Sequence, residues 1–179
     1  WEQFASAVNR DLADVLGNFV NRIVKFTESK FEGVVPAGGE PGPLEEKLFA
    51  DVSARLADLA EQMDAIEIRK SAQALRALWV VGNEYLQEAA PWTAIKTDRD
   101  RAAVIVRTAL NLAALYAKLS APFIPFAAEK IGDAFGLDFP AQWPSNDAKV
   151  ELDKLTVGQA ITVPDVLFKK IEDEQIAEW

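Results

Sequence analysis

Apolar residues recur at helical spacing through most of the chain, and that rhythm predicts its elements. Val8, Leu12, Val15, Phe19, Ile23 and Phe26 form one stripe over residues 2–30, the signature of a first long helix with a buried face. Asp11, Asp14, Asn18, Asn21, Arg22 and Lys25 fall on its polar side. Gly17 interrupts the middle of this helix at a cost of about 1 kcal/mol relative to alanine, so a close packing contact or an approaching group is expected there. Gly33, Pro36, Gly38, Gly39, Pro41, Gly42 and Pro43 then break the pattern in quick succession, which reads as a loop.

A second helix over 44–63 carries Leu48, Val52, Leu56, Leu59 and Met63. Asp64 followed by Glu67 has the spacing of a capping pair for a third helix. Along that helix Ile68, Ala72, Leu75, Leu78, Trp79, Gly82, Tyr85 and Leu86 mark the buried side, and Ala72, Ala74 and Ala77 leave room for a close neighbour. Pro91 ends it, since proline lacks a donor and clashes with the preceding turn. Asp98 is a candidate N-cap for a fourth helix over 99–120, apolar nearly all round and therefore central. Pro122 and Pro125 mark a corner before a short fifth helix over 127–135, which Gly136 terminates. The segment with Pro140, Trp143, Pro144, Asn146 and Gly158 holds no period and reads as an irregular arm. Residues 166–179 predict a last amphipathic helix, with Pro164 near its start and Leu167, Phe168, Ile171, Ile176 and Trp179 available for packing. The expectation is an all-α fold: a bundle of about five helices over 1–136, then an arm and C-terminal helix over 137–179.

Composition narrows what such a bundle can do. At 179 residues and 50% apolar, one domain with its own core is expected. No window approaches ~18 uninterrupted apolar residues, so a transmembrane helix is not expected. Trp1-Glu2-Gln3-Phe4 lacks the basic start and apolar run of a signal peptide, and a chain that begins without methionine in helical rhythm suggests a piece of something longer. There is no cysteine and no histidine. That excludes disulfides, thiolate or histidine metal sites, and a histidine base or triad within these residues.

The net charge of -9 argues at first against a nucleic-acid partner, but it is unevenly spread. From Gly132 to Trp179, ten acids face four lysines, a net of -6; from Ala65 to Arg107, seven bases face five acids, a net of +2. The middle of the chain could face phosphate.

Catalysis has little to stand on: Glu172/Asp173 and Asp98/Asp100 lie at helix ends and on solvated faces. Gly38-Gly39-Glu40-Pro41-Gly42-Pro43 lacks the lysine and hydroxyl of a phosphate-binding loop. A binding surface is better supported. Asn18 and Arg22 are four apart and so stand above one another on one helix face. An amide and a guanidinium together suit the edge of an unpaired base, while the plain alternative is a solvated polar face. Trp92, just beyond the helix-ending Pro91, is either core, as tryptophan usually is, or a platform on which a base stacks.

Four stretches decide between these readings by resemblance. Leu16-Gly17-Asn18-Phe19-Val20-Asn21-Arg22 leads to Phe31-Glu32-Gly33-Val34-Val35-Pro36, Asn83-Glu84-Tyr85 to Ala90-Pro91-Trp92, and Pro122-Phe123-Ile124-Pro125 precedes the tail Leu167-Phe168-Lys169-Lys170-Ile171-Glu172. In that order and spacing the chain resembles the C-terminal anticodon-binding domain of methionyl-tRNA synthetase, a class I aminoacyl-tRNA synthetase. The resemblance runs from the first helix to the last. It implies a class Ia helical bundle in which Asn18 and Arg22 meet the first base of a CAU anticodon, Trp92 stacks, and Pro91 sets its angle. Tyr85 is assigned to core or support. The implied partners are the anticodon loop of methionine tRNA and the catalytic domain of the same polypeptide, toward which the tail would run with Phe168, Ile171 and Trp179 able to dock it. The parent enzyme would use ATP with magnesium, in the cytoplasm and as a monomer, to join methionine to tRNA. The family's His-Ile-Gly-His and Lys-Met-Ser-Lys-Ser motifs are absent from these residues, so no cofactor is expected in the fragment and no activity from it alone. A helical protein-interaction module, or the anticodon domain of a valine, leucine, isoleucine or cysteine synthetase, would share much of this pattern.

Overall fold

Helix α6 (Arg99–Ser120) is the element around which the others pack, because its sequence leaves almost no face for water. Val104, Ile105, Leu110, Leu112, Leu115, Tyr116 and Leu119 are all buried. Length and apolarity alone would suit it to a membrane, but its faces are covered by the bundle. The computed structural model describes residues 1–139 and 141–177. Among them run α1 (Glu2–Ala7), a π-helical stretch (Val8–Gly17), α2 (Asn18–Phe31), α3 (Pro43–Asp64), α4 (Ile68–Ala89), α5 (Pro91–Ala94), α6, α7 (Pro125–Ala134), α8 (Ala148–Glu151) and α9 (Asp173–Ala177). The all-α bundle is as the sequence pattern predicts.

The first helix is continuous, but wider in its middle than a 3.6-residue period assumes. A π-helix bonds each N–H five residues back rather than four, so residues slip around the axis. Phe19 and Ile23 are fully buried as predicted, joined by Leu16, Val20, Val24 and Thr27, whereas Leu12, Val15 and Phe26 are only partly covered. Two contacts from α4 brace the widened stretch. Arg76 donates to Asp11 at 2.7 Å, and the Asn83 amide donates to the Val15 carbonyl at 3.1 Å. Hydrogen bonding from Arg10 and then Arg76 outweighs partial burial and holds the Asp11 carboxyl below the usual range.

Helices α2, α4 and α6 meet at Gly82. A β-carbon there would stand 2.8 Å from the Phe19 ring and 2.9 Å from the Tyr116 hydroxyl, so only glycine lets the three backbones approach. Tyr116 uses that hydroxyl to donate to the Leu78 carbonyl at 2.5 Å.

A charged knot is buried beside this contact. Glu45, in the first turn of α3, is fully buried, and Arg101 of α6 grips it with two bonds of 2.6 and 2.9 Å. The Tyr85 hydroxyl of α4 donates to it at 2.6 Å and the Gly42 N–H at 2.8 Å. Tyr85 is thus core, as assigned from sequence. Burial pushes the Glu45 carboxyl up, but the bonds from Arg101, Tyr85 and Gly42 outweigh it and leave its pKa below the ordinary carboxylate value.

Two caps behave as the sequence suggests: Asp98 accepts the Arg101 N–H at 2.8 Å, and Gly136, in the left-handed region, closes α7. The Asp64/Glu67 capping pair does not form. Asp64 is still inside α3, the chain reverses through a left-handed Ile66 (φ 58°), and Glu67 pairs with Lys70 instead.

The arm packs back on the bundle. Its backbone donates to the Ser53 hydroxyl from Ala148 and to the Asn111 amide oxygen from Leu155, each at 2.9 Å. Ala160 bridges Val34 in antiparallel fashion. The last helix is shorter than predicted: residues 166–172 are not helical, and the helix spans Asp173–Ala177. Their backbone is used elsewhere, as a strap across the first helix described below. Phe168 packs on Gly17 of this chain's own first helix and Ile171 is held there through its backbone by Asn9; Trp179 lies outside the described residues.

Two measurements test these contacts. Glu45→Gln removes the charge that Arg101 and Tyr85 are arranged around and is expected to cost about 3 kcal/mol at neutral pH by urea unfolding. Because the folded pKa of Glu45 is depressed, its stabilisation is complete above the unfolded-state value and disappears as pH falls through the folded one. Unfolding midpoints measured from pH 7 to 3 should therefore fall less steeply in the glutamine variant. Gly82→Ala, which must push Phe19 or Tyr116 aside, is expected to lose about 1–3 kcal/mol, read as a lowered Tm.

Candidate nucleic-acid interface

The site is built where the N-terminal half of α2 faces the end of α4. Helix α4 stops at Ala89, and Ala90 takes a left-handed conformation (φ 44°, ψ 62°) that turns the chain sharply. Pro91 follows as the first residue of α5, a position where its fixed φ fits and its missing N–H costs nothing. The proline is buried, and Trp92 next to it is partly buried, with part of the indole open to solvent. The corner expected at Pro91 is therefore present. It is made by Ala90 as much as by the proline, and no residue type at position 90 announces a left-handed turn.

Arg22 reaches this corner from α2. Its Cζ lies 4.6 Å from the centroid of the indole, a cation–π stack. Beside the pair is a cavity of ≈ 290 Å³ floored by Ile23, Phe26 and Leu86 and edged by Ser29 and Lys25. It combines an aromatic wall, an apolar floor and a cationic rim, a set suited to a planar, hydrogen-bonding ring next to an anionic backbone.

Asn18 stands one turn before Arg22 on the same helix and is exposed. It opens onto a neighbouring groove of ≈ 510 Å³ between the first helix and the segment from Val163 to Lys170, which enters the strap. Lys25 lines both this groove and the Trp92 cavity, so one side chain borders the two. Thus Arg22, Pro91 and Trp92 come together directly, and Asn18 joins them along one helix face rather than inside the same cavity.

Sequence reasoning did not single out several residues that shape this surface. Lys25 was legible only as one more polar position. Phe26 belonged to the predicted core stripe, yet it is part of the cavity floor: the buried face of α2 centres on Val20, Ile23, Val24 and Thr27, and Phe26 falls at its margin. Asn83 stands in the Asn83-Glu84-Tyr85 stretch with no role evident from its type; it ties α4 to the first helix just upstream of Asn18.

With this geometry in hand, comparison with known proteins is decisive. The family model described as the anticodon binding domain of methionyl tRNA ligase matches residues 35–179. The chain belongs to this family. Over all 179 residues it is 94% identical to a methionine–tRNA ligase of Caulobacter vibrioides, 83% identical to that of a Caulobacter species and 60% identical to that of a Jannaschia species. It spans about a third of their length: 32% of the two Caulobacter proteins and 30% of the Jannaschia protein. Among solved structures, Mycobacterium tuberculosis methionyl-tRNA synthetase in its free state superimposes with a TM-score of 0.82. That match is 24% identical and covers 96% of this chain and 34% of that one. The same enzyme in complex with methionyl-adenylate gives 0.79 at 25% identity, covering 93% and 33%. These matches agree with the fold class and family expected from the sequence, and they leave no place for a generic interaction module or the anticodon domain of a different synthetase.

Proposed function

We propose that Asn18, Arg22, Pro91 and Trp92 read the CAU anticodon of methionine tRNA on behalf of a longer methionine–tRNA ligase. The observation that carries this reading is the Arg22–Trp92 stack on the rim of an apolar cavity. A base splayed from an RNA loop needs a π surface to stack on and fixed donors at its edge. Trp92 supplies the first; Arg22 and Asn18 supply donors and, through the Asn18 carbonyl, an acceptor. Lys25, between the two cavities, would meet phosphate.

Magnitudes favour entry of a base over the resting stack. A cation–π contact at a partly exposed site is worth about 0.5–1 kcal/mol, and stacking a base on an aromatic about 1–3 kcal/mol. Arg22 can therefore leave the indole face for a base edge with a net gain, because its new bond is made in a less hydrated setting. In the unbound domain it keeps the indole oriented and its face covered.

The rest of the activity belongs to the whole polypeptide, of which this chain accounts for about a third. There, in the cytoplasm, methionine would be activated with ATP and magnesium and passed to the tRNA by a catalytic domain, with the present domain selecting which tRNA is served.

The test uses the full-length enzyme and tRNAs that differ only at the first anticodon base. Trp92→Ala and Arg22→Ala are each expected to lose about 1–3 kcal/mol of discrimination between C and another base, measured as the ratio of kcat/KM values. Discrimination unchanged in both variants would sink the assignment.

A further inference from the structure

The strap over the first helix is held more tightly than a surface tail needs to be. Asn9 binds the Ile171 backbone in both directions: its side-chain amide donates to the Ile171 carbonyl and its amide oxygen accepts the Ile171 N–H, each at 2.8 Å. Such a pairing mimics a β-ladder and fixes the strap's register to a single residue. Lys170 pairs with Asp14 at 2.7 Å, though this exposed contact adds little. Beyond this pair Phe168 lies on Gly17, where a β-carbon would come within 3.2 Å of its ring. The sequence left open whether Gly17 served packing or an approaching group; Phe168 is that group.

All these anchors fall on the π-helical stretch and on Gly17, the residue immediately before Asn18. A π-helix is rare and held by its surroundings. From α4 it is braced by Arg76 and Asn83, and from the other side by the strap. Among the described residues the Asn18 side chain makes no hydrogen bond, so its direction is set by its backbone and by the walls of the groove it faces. One of those walls is the strap, through Val166, Leu167 and Phe168.

We infer that the strap is the second wall of the anticodon site, and that Asn9 and Phe168 are positioning residues that fix Asn18 and the width of the groove through which the RNA loop passes. This deepens, and rests on, the anticodon reading of Asn18, Arg22 and Trp92. It explains why 166–172 forgo the helix that their apolar spacing permits: extended backbone can be clamped by Asn9, whereas helical backbone has its own partners.

The experiment is again made on the full-length enzyme, with Asn9→Ala, Phe168→Ala and the conservative Phe168→Leu. Asn9 and Phe168 are both only partly buried, so the bundle should keep its fold, checked by helical circular dichroism and Tm. The readout is the ratio of kcat/KM for tRNAs with C or another base at the first anticodon position, which a uniform loss of stability or of rate does not move. Asn9→Ala and Phe168→Ala are expected to reduce that ratio roughly tenfold, about 1.4 kcal/mol, while Phe168→Leu keeps the apolar wall and restores most of it. If both alanine variants retain the ratio while Trp92→Ala loses it, the strap has no part in selection and the inference is overturned. If Trp92→Ala and Arg22→Ala also retain it, the anticodon reading falls and takes the inference with it.

Discussion

A buried carboxylate holds the bundle in register. Glu45 sits where the ends of α3, α4 and α6 meet, and removing it from water is tolerable only because Arg101, Tyr85 and the Gly42 N–H all point at it. An ion pair of this kind adds little net stability over a well-packed apolar cluster, yet it is costly to break. What it supplies is uniqueness: a slide of α4 by one residue would leave the carboxylate, the guanidinium or the phenol without a partner. Tyr85 is also the last full turn of α4 before the corner, so the knot fixes where α4 ends and hence where Pro91 and Trp92 stand.

The second constraint is closeness. With Gly82 under the Phe19 ring and the Tyr116 hydroxyl, α2 cannot drift from α4 without opening a cavity in the core, which costs several kcal/mol for residues of this size. Arg22 and Trp92 are carried by these same two helical segments, so the core contact sets the distance across which the guanidinium reaches the indole. Fold and site are two ends of one packing problem. The rigid end is buried around Phe19 and Tyr116; the adaptable end, with a long arginine side chain and an open cavity, faces water.

Much of this was legible one residue at a time where local physics decides. A glycine in mid-helix announced a close approach at Gly17, Asp98 announced a cap, and a run of apolar residues on every face announced α6 as the core. What stayed hidden depends on partners far along the chain. Glu45 in a helix's first turn looks like an ordinary complement to the helix dipole, and nothing nearby says that Arg101 and Tyr85 converge on it. The π-helical stretch follows the same apolar spacing as an α-helix, so a 3.6-residue period described it closely enough to conceal that Leu12 and Val15 are only partly covered. Leu167, Phe168 and Ile171 fit an amphipathic helix by spacing alone. The choice of an extended strap rests on Asn9, 162 residues away in sequence. For the site, residue types at helical spacing indicated a face on α2, and Pro91 indicated a corner. That the two meet is a tertiary fact.

The left-handed alanine at the corner shows how the two ends are coupled. A non-glycine residue in that region carries about 1–2 kcal/mol of strain, and Ala90 (φ 44°) keeps it because what lies on either side is fixed: Leu86 and Tyr85 in the core before it, buried Pro91 after it. A glycine would remove the strain but would also let the corner sample other directions. With alanine and proline in sequence few alternatives remain, and the indole is presented already oriented, with Arg22 over its face. A ligand that stacks there does not have to supply the free energy of ordering the corner, which is the cost that commonly limits recognition by flexible surfaces. The strain is stored when the bundle folds, and the core around Glu45 and Gly82 is what holds it.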